Sequence, residues 1–207
     1  MNELTISKEQ VAEVYQNASA ETKKALKVLF GDESNFICKP KPTLDDYTTI
    51  RSYEDACEAL GEEPLPYEPN PIMNLYGVEY EVEPHIIALM KLETISRALW
   101  GKDWMPEPDA SGSKLFYYPV FALYTKSEID NMDEDERGGL LSAHATYGAA
   151  IGFGCLNANI RSSNAGAPHG FRLCQEDSEK AKYFGKQFLE LWAEYLKFNF
   201  EVGGRLK

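Results

Sequence analysis

The stretch from Phe171 to Phe200, FRLCQEDSEKAKYFGKQFLELWAEYLKFNF, constrains the fold more than any other. It reads as a short strand at 171–174, an acidic helix start at 175–178, and then one long amphipathic helix. Ala181, Phe184, Phe188, Leu191, Tyr195 and Phe198 recur at spacings of three and four, which places them on one face. Trp192 widens that face. Glu179, Lys182, Lys186, Glu190, Glu194 and Lys197 occupy the other side. Each buried Leu or Phe contributes ~1.5–3 kcal/mol, so this face offers roughly 10 kcal/mol of gross burial. No other segment offers as much.

Upstream, residues 7–18 have helical spacing, with Ser7 as N-cap, Gln10 in the capping-box position and Val11, Val14, Tyr15 and Ala18 as the apolar stripe. Ser19 caps a second helix that carries Ala25, Leu26, Leu29 and Phe30 and stops at Gly31. This hairpin, residues 1–31, has too little apolar surface to stand alone, so it must dock on the main body or on a partner. A connector at 32–50 contains Pro40 and Pro42. The main domain is expected at 51–200, with a tail at 201–207. Within it, Ser52 caps a short helix ending at Gly61, and the four prolines of 61–71 require an extended run. A longer helix at 84–100 starts at Pro84 and is apolar enough to be buried on more than one side.

The strand signals follow. KLFYYPVFALY at 114–124 is aromatic-rich, and Pro119 makes it an edge strand or a bulged one. Residues 126–137 hold a short helix, and 144–160 form an uneven strand pair with glycines where backbones approach closely. A turn-rich loop at 161–170 leads to the closing helix. Helices, then strands, then one closing helix indicate an α+β fold. Its small antiparallel sheet has Gly- and aromatic-rich strands and is closed by the long C-terminal amphipathic helix.

The formal net charge of −12 narrows the partners. Nine carboxylates and no Lys or Arg lie between Tyr53 and Glu83, and a second cluster comprises Glu128, Asp130, Asp133, Glu134, Asp135 and Glu136. Such fields repel phosphate backbones, so duplex nucleic acid is not expected as a partner, whereas a basic protein would suit them. No apolar run reaches membrane-spanning length, and the first ten residues lack a signal-peptide pattern. The expected location is the cytoplasm. Cys38, Cys57, Cys155 and Cys174 are widely spaced, which fits reduced thiols rather than a disulfide framework.

Candidate chemistry is sparse. His144, Cys155, His169 and Cys174 lack the close ligand pairs of a structural zinc site. The acidic run starting at Asp133 places Arg137 and His144 where a calcium loop needs oxygen ligands. Gly148, Gly152 and Gly154 do not make a dinucleotide fingerprint. No metal and no cofactor is therefore expected. One nucleophilic pairing can be named: Cys174 with His169 or His144 as base. Its competing reading is a core cysteine facing inward from a strand. Tyr117, Tyr118, Phe121 and Tyr124 could stack on bases, but core packing or a protein interface suits them better, because few cations lie near.

Three pieces carry a resemblance: ETKKALKVLFG (21–31), IRSYEDACEALG (50–61) and GFRLCQEDSEKAKYFGKQFLELWAEYL (170–196). With RLC followed by a helix containing YFGKQF, the chain resembles a family of uncharacterised proteins of phages and prophages of gut Bacteroidales. The resemblance implies a phage-linked origin and a shared fold, and it transfers no catalytic residue. The leading expectation is a non-enzymatic, phage-type protein acting through protein–protein contacts, self-association included. It would be a virion component or a host-directed accessory factor in the host cytoplasm. One alternative is a factor in phage DNA metabolism, through single-strand contacts of the aromatic strand or as an acidic mimic of nucleic acid. The other is an enzyme using Cys174 and a histidine.

Overall fold

The computed structural model describes residues 10–11, 14–15, 18–31, 40–65, 72–75, 77–145, 150–162, 170–197 and 200–206. The chain divides into two compact units, Met1–Lys41 and Pro42–Lys207.

In the first unit, α1 spans Ala20–Phe30. The Ser19 hydroxyl accepts from the Thr22 amide, and Gly31, at φ 82°, closes the helix by donating to the Lys27 carbonyl. Leu26 packs against Val11 and Tyr15, which lie on the preceding helical residues. Yet α1 has no buried residue.

The second unit begins with residues expected as connector. Ile50 is fully buried, and a short 3-10 turn at Tyr47–Thr49 is tied down by Thr49, whose hydroxyl donates to the Asp46 carbonyl at 2.7 Å. Residues 42–50 are thus part of the body, because Ile50 and Leu44 pack into its main core. Helix α2 spans Tyr53–Leu60, with Ser52 accepting from the Asp55 amide and Gly61 in the left-handed region at its end. Of the Pro-rich run, residues 66–71 lie outside the described residues. A small hairpin follows that the sequence reading missed: β1 (Ile72–Leu75) pairs antiparallel with β2 (Val78–Glu81) around Gly77, at φ 77°. Helix α3 spans Pro84–Trp100 and buries Ala88, Leu92, Ile95, Ser96, Ala98 and Leu99. Ile86 and Met90 stay exposed, so the helix is covered on one broad side only.

The main sheet is antiparallel throughout. Its strands are β3 (Leu115–Thr125), β4 (Leu141–Ala145), β5 (Ala150–Ser162) and β6 (Phe200–Arg205), in the order β3-β5-β4-β6. β3 is an edge strand with a register shift at Val120/Phe121, next to Pro119, which lacks the N–H that a continuous ladder needs. Two short helices, α4 (Lys126–Asp130) and α5 (Glu134–Gly138), join β3 to β4. The residues expected as a tail form β6 instead, paired with β4 through Ala143↔Val202 and His144↔Glu201. The fold is therefore α+β, with helices and a four-stranded antiparallel sheet.

The closing segment departs from the sequence reading in two ways. Phe171–Leu173 is a 3-10 turn rather than a strand. Its one strand-like contact is Gln175, which exchanges both backbone hydrogen bonds with Tyr117 at 2.8 and 3.1 Å. The long helix is divided: α6 spans Ser178–Gln187, α7 spans Leu189–Leu196, and Phe188 between them sits at φ −110°, ψ 33°. The Trp192 indole N–H donates to the Phe184 carbonyl at 3.2 Å, across the break. This hinge lets both halves bury their faces. Phe184, Phe188 and Trp192 enter the main core with α2 and α3, while Leu189 and Ala193 pack with Leu141 and Phe153 of the sheet. Phe198 lies outside the described residues.

Candidate functional site

The proposed nucleophile is an internal cysteine. Cys174 is fully buried beside Phe116 and Tyr118, and its thiol donates to the Phe171 carbonyl at 3.0 Å. Burial pushes the thiol up to about 12, so it is not a thiolate at neutral pH. Of its two candidate bases, His144 is exposed on β4, and His169 lies outside the described residues. Cys57, Cys155 and Cys174 are free thiols; Cys38 lies outside the described residues. Among the described residues, no group of three or more His, Cys, Asp or Glu side chains is placed to hold a metal ion.

The Cys174 carbonyl anchors a small polar network. It accepts from the Trp100 indole at 2.7 Å and from Ser96 Oγ at 3.5 Å, and Ser96 Oγ in turn accepts from Gln175 Nε2 at 2.9 Å. Gln175 is itself fully buried, and its Oε1 has no partner among the described residues. These bonds fasten the turn before α6 to α3.

The aromatic strand does not present one exposed face. Tyr118 is buried against Cys174, where burial pushes its hydroxyl up to about 12. Phe121 stacks on Phe153 at 5.6 Å and meets Trp192 at 4.9 Å. Tyr117 and Tyr124 remain half-buried. Alternation divides the four rings between the sheet's two sides, which runs counter to a shared stacking platform. The glycines of β5 answer to side chains rather than backbones: a Cβ at Gly152 would stand 2.7 Å from Ile129 Cδ1, and one at Gly154 would overlap Leu140.

Much of the second acidic cluster works locally. Thr125 with Glu128 and Asp133 with Glu136 form reciprocal capping boxes at the starts of α4 and α5. Accepting from the Thr125 backbone and hydroxyl holds the Glu128 carboxyl below its ordinary value. Asp130 pairs with Lys126 at 2.7 Å. Glu134 and Asp135 are left exposed, without an ion pair among the described residues.

A cleft of about 420 Å³ lies where β4 begins. The β4–β5 ladder is short, Leu141↔Phe153 and Ser142↔Gly152, and the residues just beyond it, Leu140, Cys155 and Leu156, line the cleft. Asp135 of α5, Lys186 of α6 and Arg205 of β6 are among its lining residues. Arg205 is held in place: Nε donates to Glu190 at 3.0 Å and Nη1 to the Gly139 carbonyl at 2.9 Å. Lys186 is exposed and makes no ion pair with the described residues. Burial pushes the Cys155 thiol up to about 11, against a smaller opposing pull from the Lys186 ammonium. Tyr124 contributes a hydroxyl with no hydrogen bond to the described residues, and burial first of all raises it. Of these cleft residues, the sequence singled out Tyr124 and Cys155, and Asp135 and Glu136 only as members of the acidic cluster. Lys186 looked like an ordinary solvent-facing charge, and Arg205 belonged to a supposed tail.

A second hollow, beside Trp104 and Phe116, has its cation committed, since Lys114 pairs with Glu107 at 3.2 Å. No protein-family model, curated protein or solved structure matches the chain.

Proposed function

We propose that the chain is a phage-type protein that works by binding another protein rather than by catalysis, as a virion component or a host-directed accessory factor. One observation carries this reading: α1 is a capped helix with no fully buried residue, with Val28 85% and Leu29 73% exposed and Phe30 beside them. Each such side chain gains ~1.5–3 kcal/mol on being covered, so a partner surface is the natural sink for this end of the helix. The net charge of −12 favours a basic partner. The high thiol value of Cys174 gives the competing cysteine-enzyme reading no support.

The test is site-specific photo-crosslinking in the producing cell, with the reactive group at Leu29 and, as control, at Lys102. The expected result is one protein, identified by mass spectrometry, joined at Leu29 but not at Lys102. The adduct should disappear on Val28→Asp. Equal labelling at both positions, or an adduct indifferent to Val28→Asp, sinks the proposal.

A further inference from the structure

We propose that the cleft at the start of β4 binds a small zwitterion with an apolar body, an apolar α-amino acid being the simplest member of that class. The inference is independent of the protein-binding reading, because it concerns other residues in the other unit.

The lining carries charges of both signs. Asp135 supplies a carboxylate from α5, and Lys186 and Arg205 supply cations from α6 and β6. Their commitments differ in a way that leaves one charge of each sign. Arg205 is neutralised by Glu190 and fixed by the Gly139 carbonyl, which leaves guanidinium N–H groups in a set orientation. Glu136, also at the cleft, is spent in the capping box of α5. Lys186 and Asp135 have no ion pair among the described residues. A simple anion would satisfy Lys186 and Arg205 but face Asp135, and a simple cation would meet the reverse problem. A ligand carrying both an ammonium and a carboxylate satisfies both kinds of charge at once. Leu140, which is buried, and Leu156, which is 58% exposed, supply apolar surface for the ligand's side chain. A volume of about 420 Å³ falls in the range of small-molecule sites and admits an amino acid or a short peptide.

The test is an amide-resolved NMR titration of the full chain with leucine, N-acetyl-leucine, leucinamide and glycyl-leucine. Leucine is expected to give saturable shifts centred on Gly139, Leu156 and Lys186. Removing either ligand charge, or introducing Lys186→Gln or Asp135→Asn, should weaken binding at least about tenfold. Asp130→Asn, outside the cleft and paired with Lys126, should leave it unchanged. Tighter binding of glycyl-leucine than of leucine assigns peptides as the source of the zwitterion, and weaker binding assigns free amino acids. Shifts that never saturate overturn the proposal. So does equal binding of N-acetyl-leucine, or indifference to both substitutions.

Discussion

Gly185 of α6 lies directly against the sulfur of Cys155 on β5. A Cβ at this position would overlap Sγ and stand 2.7 Å from Pro119 Cβ. The helix backbone at Gly185 therefore rests directly on the Cys155 and Pro119 side chains of the sheet, with no side chain of its own between. A helix-interior Gly costs ~1 kcal/mol relative to Ala, which close packing here offsets.

Gly185→Ala is expected to destabilise the protein by ~1–3 kcal/mol despite its better helix propensity, because the methyl overpacks a contact built partly from backbone-linked atoms. Urea denaturation measures it. Cys155→Ala in the same chain removes the sulfur and should recover part of the loss. Additive effects of the two substitutions would show that the contact is not the cause. Lys186→Ala, on the exposed side, should change stability by less than about 0.5 kcal/mol.

The Trp192 indole spans the break at Phe188 through its hydrogen bond to the Phe184 carbonyl. Trp192→Phe keeps most of the ring volume but leaves the buried Phe184 carbonyl without its side-chain donor, at an expected cost of ~1–3 kcal/mol. Phe188→Ala should cost more, ~3–5 kcal/mol, since Phe188 is buried in the main core. If Trp192→Phe were as stable as the wild type, the indole hydrogen bond would have no part in the hinge.

Ser96 and Gln175 form a buried polar pair with one oxygen unsatisfied among the described residues. Ser96→Ala strands the Gln175 amide in an apolar setting and should destabilise by ~1–3 kcal/mol. The double replacement Ser96→Ala with Gln175→Met removes both polar groups and should be closer to wild type than Ser96→Ala alone. A double variant worse than the sum of its parts would refute this account.

Alkaline pH should unfold the protein through its buried thiols. Burial raises Cys174 to about 12, above the ordinary thiol value that it regains on unfolding. A raised folded value contributes stability that is fully present below the ordinary value and is lost as pH climbs toward 12. The slope from such a group is about 1 kcal/mol per pH unit. Cys174→Ala should flatten the decline in stability between pH 9 and 11, whatever it costs at neutral pH. In the native state near neutrality, Cys155 and Cys174 should alkylate more than about tenfold slower than free cysteine. Fast labelling of Cys174 would return it to the list of candidate nucleophiles.

Local chemistry made several elements legible in the sequence. Ser19 and Ser52 cap the helices expected of them, Gly31 and Gly61 end them, and Pro84 opens α3. The apolar spacing of Ala181, Phe184 and Phe188 identified the buried face of α6, and Pro119 foretold an edge strand. These signals lie within a few residues of the structure they specify, so they survive without knowledge of what packs where. The β1–β2 hairpin was missed because its strands are only four residues long and follow a run of prolines.

What only the tertiary structure decided is how that local information is spent. The spacing from Ala181 to Tyr195 suits one straight helix, but the segment supplies two hydrophobic clusters and is divided at Phe188. The RLC turn pairs a single residue with β3 because Gln175 is tied to α3 through Ser96. FEVGGR has weak strand propensity and reads as a tail, yet the free edge of β4 recruits it as β6. The cleft unites Asp135, Lys186 and Arg205, which are as many as 70 residues apart in the chain. Periodicity and caps report on neighbours along the backbone, whereas a site of this kind arises from contacts across it.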